Sequence, residues 1–142
     1  MRLHLLVLVA AASLACAAQA QDDGRYAGAW RGPFLLYVAQ PDTGAQGPSQ
    51  VFDGSLQIDA SGTLRGSIPD AACMLAGSSS DYISDANASI DLMASGCRDT
   101  RFNGHFTGKM IVNARMRYAS LRLSSIHSLD AGIAQLSAVL RH

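Results

Sequence analysis

Phe52-Asp53-Gly54-Ser55-Leu56-Gln57-Ile58 is followed by Asp59-Ala60-Ser61-Gly62 and then by Thr63-Leu64-Arg65-Gly66-Ser67-Ile68. In the first stretch Phe52, Gly54, Leu56 and Ile58 share one side, and Asp53, Ser55, Gln57 and Asp59 share the other. A repeat of two with one apolar face is the pattern of a half-buried β-strand. Ala60-Ser61-Gly62 has turn chemistry, and Leu64, Gly66 and Ile68 restart the same alternation. The two segments read as a β-hairpin.

The rhythm extends in both directions. Ala88, Ile90, Leu92 and Ala94 alternate with Ser89, Asp91 and Ser95, and Phe102, Gly104, Phe106, Gly108, Met110 and Val112 form a longer inward set. Further on, Met116 and Tyr118 share one parity while Leu121 and Leu123 take the other. A bulge near Ala119-Ser120 is expected to reconcile them, because one extra residue flips the facing set. Short alternating segments separated by Gly, Ser and Asp predict an all-β domain, a small antiparallel up-and-down barrel or strongly curved sheet. The glycines at 54, 66, 104 and 108 within the apolar set suit tight coiling and close approach. The expected core is Trp30, Phe34, Leu36, Phe52, Leu56, Ile58, Leu64, Ile68, Leu75, Ile90, Leu92, Phe102, Phe106, Met110, Tyr118, Leu121 and Leu123. In the tail, Leu129, Ile133, Leu136 and Leu140 recur at helical spacing, with Ser128 or Asp130 as caps and Gly132 against a helix. A short C-terminal helix and a frayed last strand both fit.

The amino terminus has a different character. Met1-Arg2-Leu3-His4 supplies a positive charge, Leu5 to Ala15 an apolar run, and Ala18-Gln19-Ala20 a small-x-small cleavage site. These are the parts of a secretory signal peptide in order, and the run is too short for a permanent span of about 20 residues. Residues 1–20 are expected to be removed after Ala20, leaving residues 21–142 as a single domain in the periplasm or outside the cell. Lipidation of Cys16 is the alternative; Ser13-Leu14-Ala15 fits the required box poorly. No second apolar stretch suggests an integral membrane span. A chain of this size can bury about two-thirds of its unfolded surface.

Export makes the remaining cysteines, Cys73 and Cys97, candidates for one disulfide. Closing that loop is worth about 3.5 kcal/mol on the chain-entropy view. A metal pair is the competing reading, but no nearby His or Cys-x-x-Cys supports it. Residues 21–100 carry ten Asp and four Arg, whereas residues 101–142 carry five Arg, one Lys and one Asp. This asymmetry suits either complementarity between neighbouring strands or a basic face for an anionic partner. No basic run points to nucleic acid.

Near the expected mature start stands Tyr26-Ala27-Gly28-Ala29-Trp30-Arg31-Gly32, with the one Trp of the chain. This Gly-x-Trp resembles the opening of the calycin-type barrels, such as the lipocalins, the avidins and the small bacterial protease inhibitors built alike. The resemblance implies an up-and-down barrel whose end is closed by Trp30, with a basic residue of the last strand, Arg122 or Arg117, over the indole. A guanidinium on an indole face contributes about 0.5–2 kcal/mol. The later lipocalin motifs have no match at their expected places, and the length suits an avidin-sized barrel better.

Catalytic signatures are missing. The mature region has no Glu, and His105, His127 and His142 are widely separated. No nucleophile elbow, His-Glu-x-x-His, phosphate loop or dinucleotide fingerprint occurs. Asp53, Asp59 and Asp91 fall at outward strand positions. No cofactor or metal is expected. Asn87-Ala88-Ser89 is a sequon with Asn87 facing outward.

The expected function is therefore a non-enzymatic binding module, holding a small apolar ligand or a protein partner as a monomer. The alternatives are an inhibitor or immunity-type protein that blocks a secreted hydrolase, and an envelope structural adaptor. The unpatterned stretch from Gln40 to Ser49, with Asp42 and Gln46, is the expected binding loop.

Overall fold

The computed structural model describes residues 26–81 and 87–142. The expected signal peptide, the Ala20 cleavage site and Cys16 lie outside them. The described strands are β1 (Gly28–Ala39), β2 (Gln50–Ile58), β3 (Thr63–Ile68), β4 (Cys73–Asp81), β5 (Asn87–Ser95), β6 (Gly104–Asn113), β7 (Tyr118–Leu129) and β8 (Gly132–Arg141). Each pairs antiparallel with the next, and β8 returns to β1, so the sheet is a closed up-and-down barrel. Closure runs from Arg31 opposite Arg141 to Ala39 opposite Ile133. This is the architecture that the alternation and the Gly-x-Trp resemblance imply.

Alternation decides which side is inside. Leu56 and Ile58, Leu64 and Ile68, Ile90 and Leu92, and Phe106 and Met110 are all buried. Between them Asp53, Gln57, Arg65, Asp91 and Lys109 face out and are exposed. An eight-stranded barrel is just wide enough for its own side chains to fill. Here large residues are fitted against glycine: a Cβ on Gly54 would stand 2.7 Å from the Phe34 ring. The inside is apolar and the outside largely polar, the reverse of the alternation in barrels that face lipid. Among the described residues no helix is long and apolar enough to cross a membrane.

One open alternative is settled and two expectations are corrected. The tail is strand β8, with Ala134, Leu136, Ala138 and Leu140 buried at a period of two and no C-terminal helix. Two of those inward positions are alanines, so the larger Leu and Ile side chains mimicked a helical spacing. Gly132, at φ 134°, turns the chain into the strand.

The first correction concerns β7. No bulge occurs at Ala119-Ser120; the register there is continuous, and its shift falls between Ser124 and Ser128. Met116 belongs to the β6–β7 turn, where its N–H donates to Asn113 Oδ1 at 3.1 Å and Arg117 is left-handed at φ 54°. The strand begins after it, with Ala119, Leu121 and Leu123 inward. Tyr118 is half-buried on the outer side.

The second is local. Phe102 is buried, but it closes a 3-10 turn (Thr100–Phe102) ahead of β6 rather than opening the strand. Phe52 is half-buried and packs on the core instead of joining it fully.

The direction of the strands sorts the connections into two ends. One end gathers the Gln40–Ser49 loop, a 3-10 turn (Pro69–Ala71), the β5–β6 connection and the β7–β8 turn. The other end holds Tyr26, the β2–β3 and β6–β7 turns and His142.

Candidate functional site: the disulfide end of the barrel

Cys73 opens β4 and Cys97 follows β5 by two residues. Their sulfurs are bonded at 2.08 Å, with the Cα atoms 4.1 Å apart. The expected disulfide is therefore present, and it joins the start of β4 to the β5–β6 connection at one mouth of the barrel. Arg98 N–H donates to Ala71 O at 2.8 Å, and Cys97 N–H donates to Asn103 Oδ1 at 2.9 Å. These bonds hold the Pro69–Ala71 turn against the Thr100–Phe102 turn.

Between the two turns lies a cleft of about 240 Å³, lined by Leu36, Gln50, Phe52, Asp70, Ala71, Cys73, Cys97, Arg98, Asp99 and Phe102. Its floor is apolar: Leu36, Phe102, Ala71 and the disulfide are buried. Its lip is polar, with Gln50, Asp70 and Arg98 exposed. Asp99 is held by Arg101 through Nη2–Oδ2 at 2.7 Å and Nε–Oδ1 at 3.0 Å. Its Oδ1 also accepts the Arg101 backbone N–H at 3.1 Å. The Arg101 guanidinium, by its hydrogen bonds first, holds the Asp99 carboxyl below the usual aspartate range. Arg101 also stands 6.0 Å from the Phe102 ring centroid.

The loop named from the sequence sits beside this cleft. Gln40, Asp42, Gln46 and Ser49 are all exposed. The loop is tied back to β1 where Gly47 N–H donates to Val38 O at 3.0 Å, and it is closed on itself where Gln40 N–H donates to Ala45 O at 3.0 Å. Gln46 adds a bridge to Ala39.

Trp30 lies at the opposite end, 1 % exposed, and its Nε1–H donates to Tyr26 O at 2.8 Å. The ring against it is not an arginine. His142 meets it edge-on, with centroids 4.8 Å apart and planes at 84°. His142 Nε2 donates to Ala27 O at 3.2 Å, and its backbone N–H to Arg117 O at 3.0 Å. Arg122 cannot reach the indole because it alternates outward between the buried Leu121 and Leu123. Arg117 is exposed in the turn and approaches only through its carbonyl. Nothing in the local sequence around His142 announces this contact, which only barrel closure creates.

Of the other histidines, His105 faces outward and its Nε2 is 2.6 Å from Asp91 Oδ1. No hydroxyl hydrogen-bonds to His105 among the described residues. His127 is exposed, with its backbone held by Ser125 at the β7 irregularity. Asn87 is half-buried in β5. Among the described residues no three His, Cys, Asp or Glu side chains are grouped to hold a metal ion.

Sequence reasoning also missed Asp70, Arg98, Asp99 and Arg101. An Asp and an Arg two residues apart carry no periodic signal, and only the fold brings their turn beside Leu36 and Gln50. No protein-family model, curated protein or solved structure matches this chain at significance.

Proposed function

We propose that the protein is an exported, non-enzymatic binding module that engages a protein partner at the disulfide end. The observation that carries this reading is the small cleft with an apolar floor and a charged lip. Its volume, about 240 Å³, lies under the roughly 300–1,000 Å³ usual for drug-sized ligands. It suits one inserted side chain, with the lip residues giving polarity to the approach. The interior of the barrel is occupied by its own large side chains, which favours a partner at the rim over an apolar ligand inside. The signal-peptide pattern and the disulfide support export. The lining residues offer two carboxylates and no histidine, and Asp99 is already engaged by Arg101, which supports binding without chemistry.

A partner captured from the exported fraction of the source cell tests the proposal. Asp70→Arg and Arg98→Glu should each lose that partner, whereas Arg65→Gln on the outer wall of β3 should keep it. The same proteins retained by the unchanged protein and all three variants would contradict the rim assignment.

One observation favours inhibition of a secreted hydrolase as a second reading: the Gln40–Ser49 loop projects from the rim yet is braced by backbone bonds to β1. Rigid, exposed loops bind enzyme clefts at low ordering cost. Deleting residues 41–48 should then abolish inhibition of secreted protease or lysozyme activity while leaving thermal stability nearly intact. Retained inhibition would remove the loop from the account.

A further inference from the structure

We propose that the outer face of β6, β7, β8 and β1, at the end away from the rim cleft, docks on an anionic phospholipid surface. Those four adjacent strands, with the β6–β7 turn, contain no carboxylate. They carry Arg31, Lys109, Arg115, Arg117, Arg122 and Arg141. All five arginines are exposed, and none has an ion-pair partner among the described residues. The Asp residues of the described strands lie on β2, β4 and β5 instead, with Asp53 at the border, opposite Pro33.

The register makes the arrangement sharper. Arg31 and Arg141 stand directly opposite each other across the β1–β8 seam. Like charges at such a position are destabilising, and a bound anion would relieve the repulsion. Above them runs an apolar row: Ile111 opposite Ser120, Ser120 opposite Val139. Ile111 is 48 % and Val139 57 % exposed. The next row pairs Lys109 with Arg122. At the lower edge the turn presents Met116, 70 % exposed, between Arg115 and Arg117.

Guanidinium groups bind phosphate oxygens in a fixed fork, and cations near an anionic leaflet are drawn to it within a Debye length. Exposed apolar side chains set among them can enter the headgroup boundary. A soluble acidic partner would use the charges and leave Met116, Ile111 and Val139 in water. That difference favours the lipid surface. Docked this way, the barrel would hold its disulfide end away from the membrane.

The test is co-sedimentation of the full chain with vesicles of phosphatidylcholine alone or mixed with phosphatidylglycerol. Every variant carries the same residues 1–25, so differences among variants report on the face alone. The Arg31→Gln/Arg141→Gln and Arg115→Gln/Arg117→Gln pairs should each weaken binding to the anionic vesicles by roughly tenfold or more. Met116→Ser should weaken it at unchanged charge, and Arg65→Gln should have little effect. Added salt should release the protein. Equal binding by all variants would overturn the proposal. So would binding to soluble polyglutamate, but not to vesicles, by the same arginines, which would assign the face to an acidic protein.

Discussion

Gly28 shows how closely one residue can be specified. It sits at φ 132°, in the left-handed half of the map, and a Cβ there would collide with the His142 imidazole. Gly28→Ala should therefore destabilise the barrel by about 1–3 kcal/mol, the range for a strained backbone position, as read by urea unfolding. Trp30→Ala should cost more, about 3–5 kcal/mol, because it empties a fully buried aromatic site. Asp99 carries a pH prediction. Its carboxyl is held below the usual value chiefly by the Arg101 hydrogen bonds, so the unfolded chain takes up that proton at a higher pH than the folded one. The stabilisation is complete above the ordinary aspartate value of about 3.9 and fades as pH falls through the lower folded value. Arg101→Gln should raise the Asp99 midpoint in an NMR carboxyl titration; an unchanged midpoint would detach the pair from the shift. Asp99 is half-buried and its partner Arg101 is exposed, so solvent screens the pair and the effect on stability is small.

At the scale of elements, the disulfide ties the β5–β6 connection, which no β-ladder holds at Cys97, to the first residue of β4. Replacing both Cys73 and Cys97 by Ser should lower stability by about 2–4 kcal/mol and loosen the rim cleft before the strands. Hydrogen exchange resolves the order: amides of residues 96–103 should gain exchange earlier than those of β7. The same scale explains what could be read in the chain beforehand. Strands β2, β3, β5 and β6 were legible because Leu, Ile and Phe alternate with charged or hydroxyl side chains. The disulfide was legible because only two cysteines lie beyond the signal-peptide pattern, Cys73 and Cys97. Strand β8 was obscured by the inward alanines at 134 and 138, which leave a helical-looking trace of larger residues. The start of β7 was obscured because Met116 is apolar yet belongs to a turn. The rim cleft was hidden for a different reason: its floor and lip come from β1, β2 and two 3-10 turns that are distant in sequence, so no local pattern announces them.

For the whole molecule, the two ends of the barrel are unlike. One is sealed by Trp30 and His142 beneath a basic outer wall; the other is open as a small cleft beside a braced loop. Such polarity suits a module held at one end and binding at the other. All of this depends on the sheet closing through the β1–β8 seam. The most direct measurement is interstrand backbone NOEs in the NMR spectrum of the protein, between Phe34 and Ala138 and between Leu36 and Leu136, which lie opposite each other in the closed register. The account predicts both contacts. Their absence, with the β1–β2 contact of Phe34 to Phe52 present, would show an open sheet and contradict the barrel.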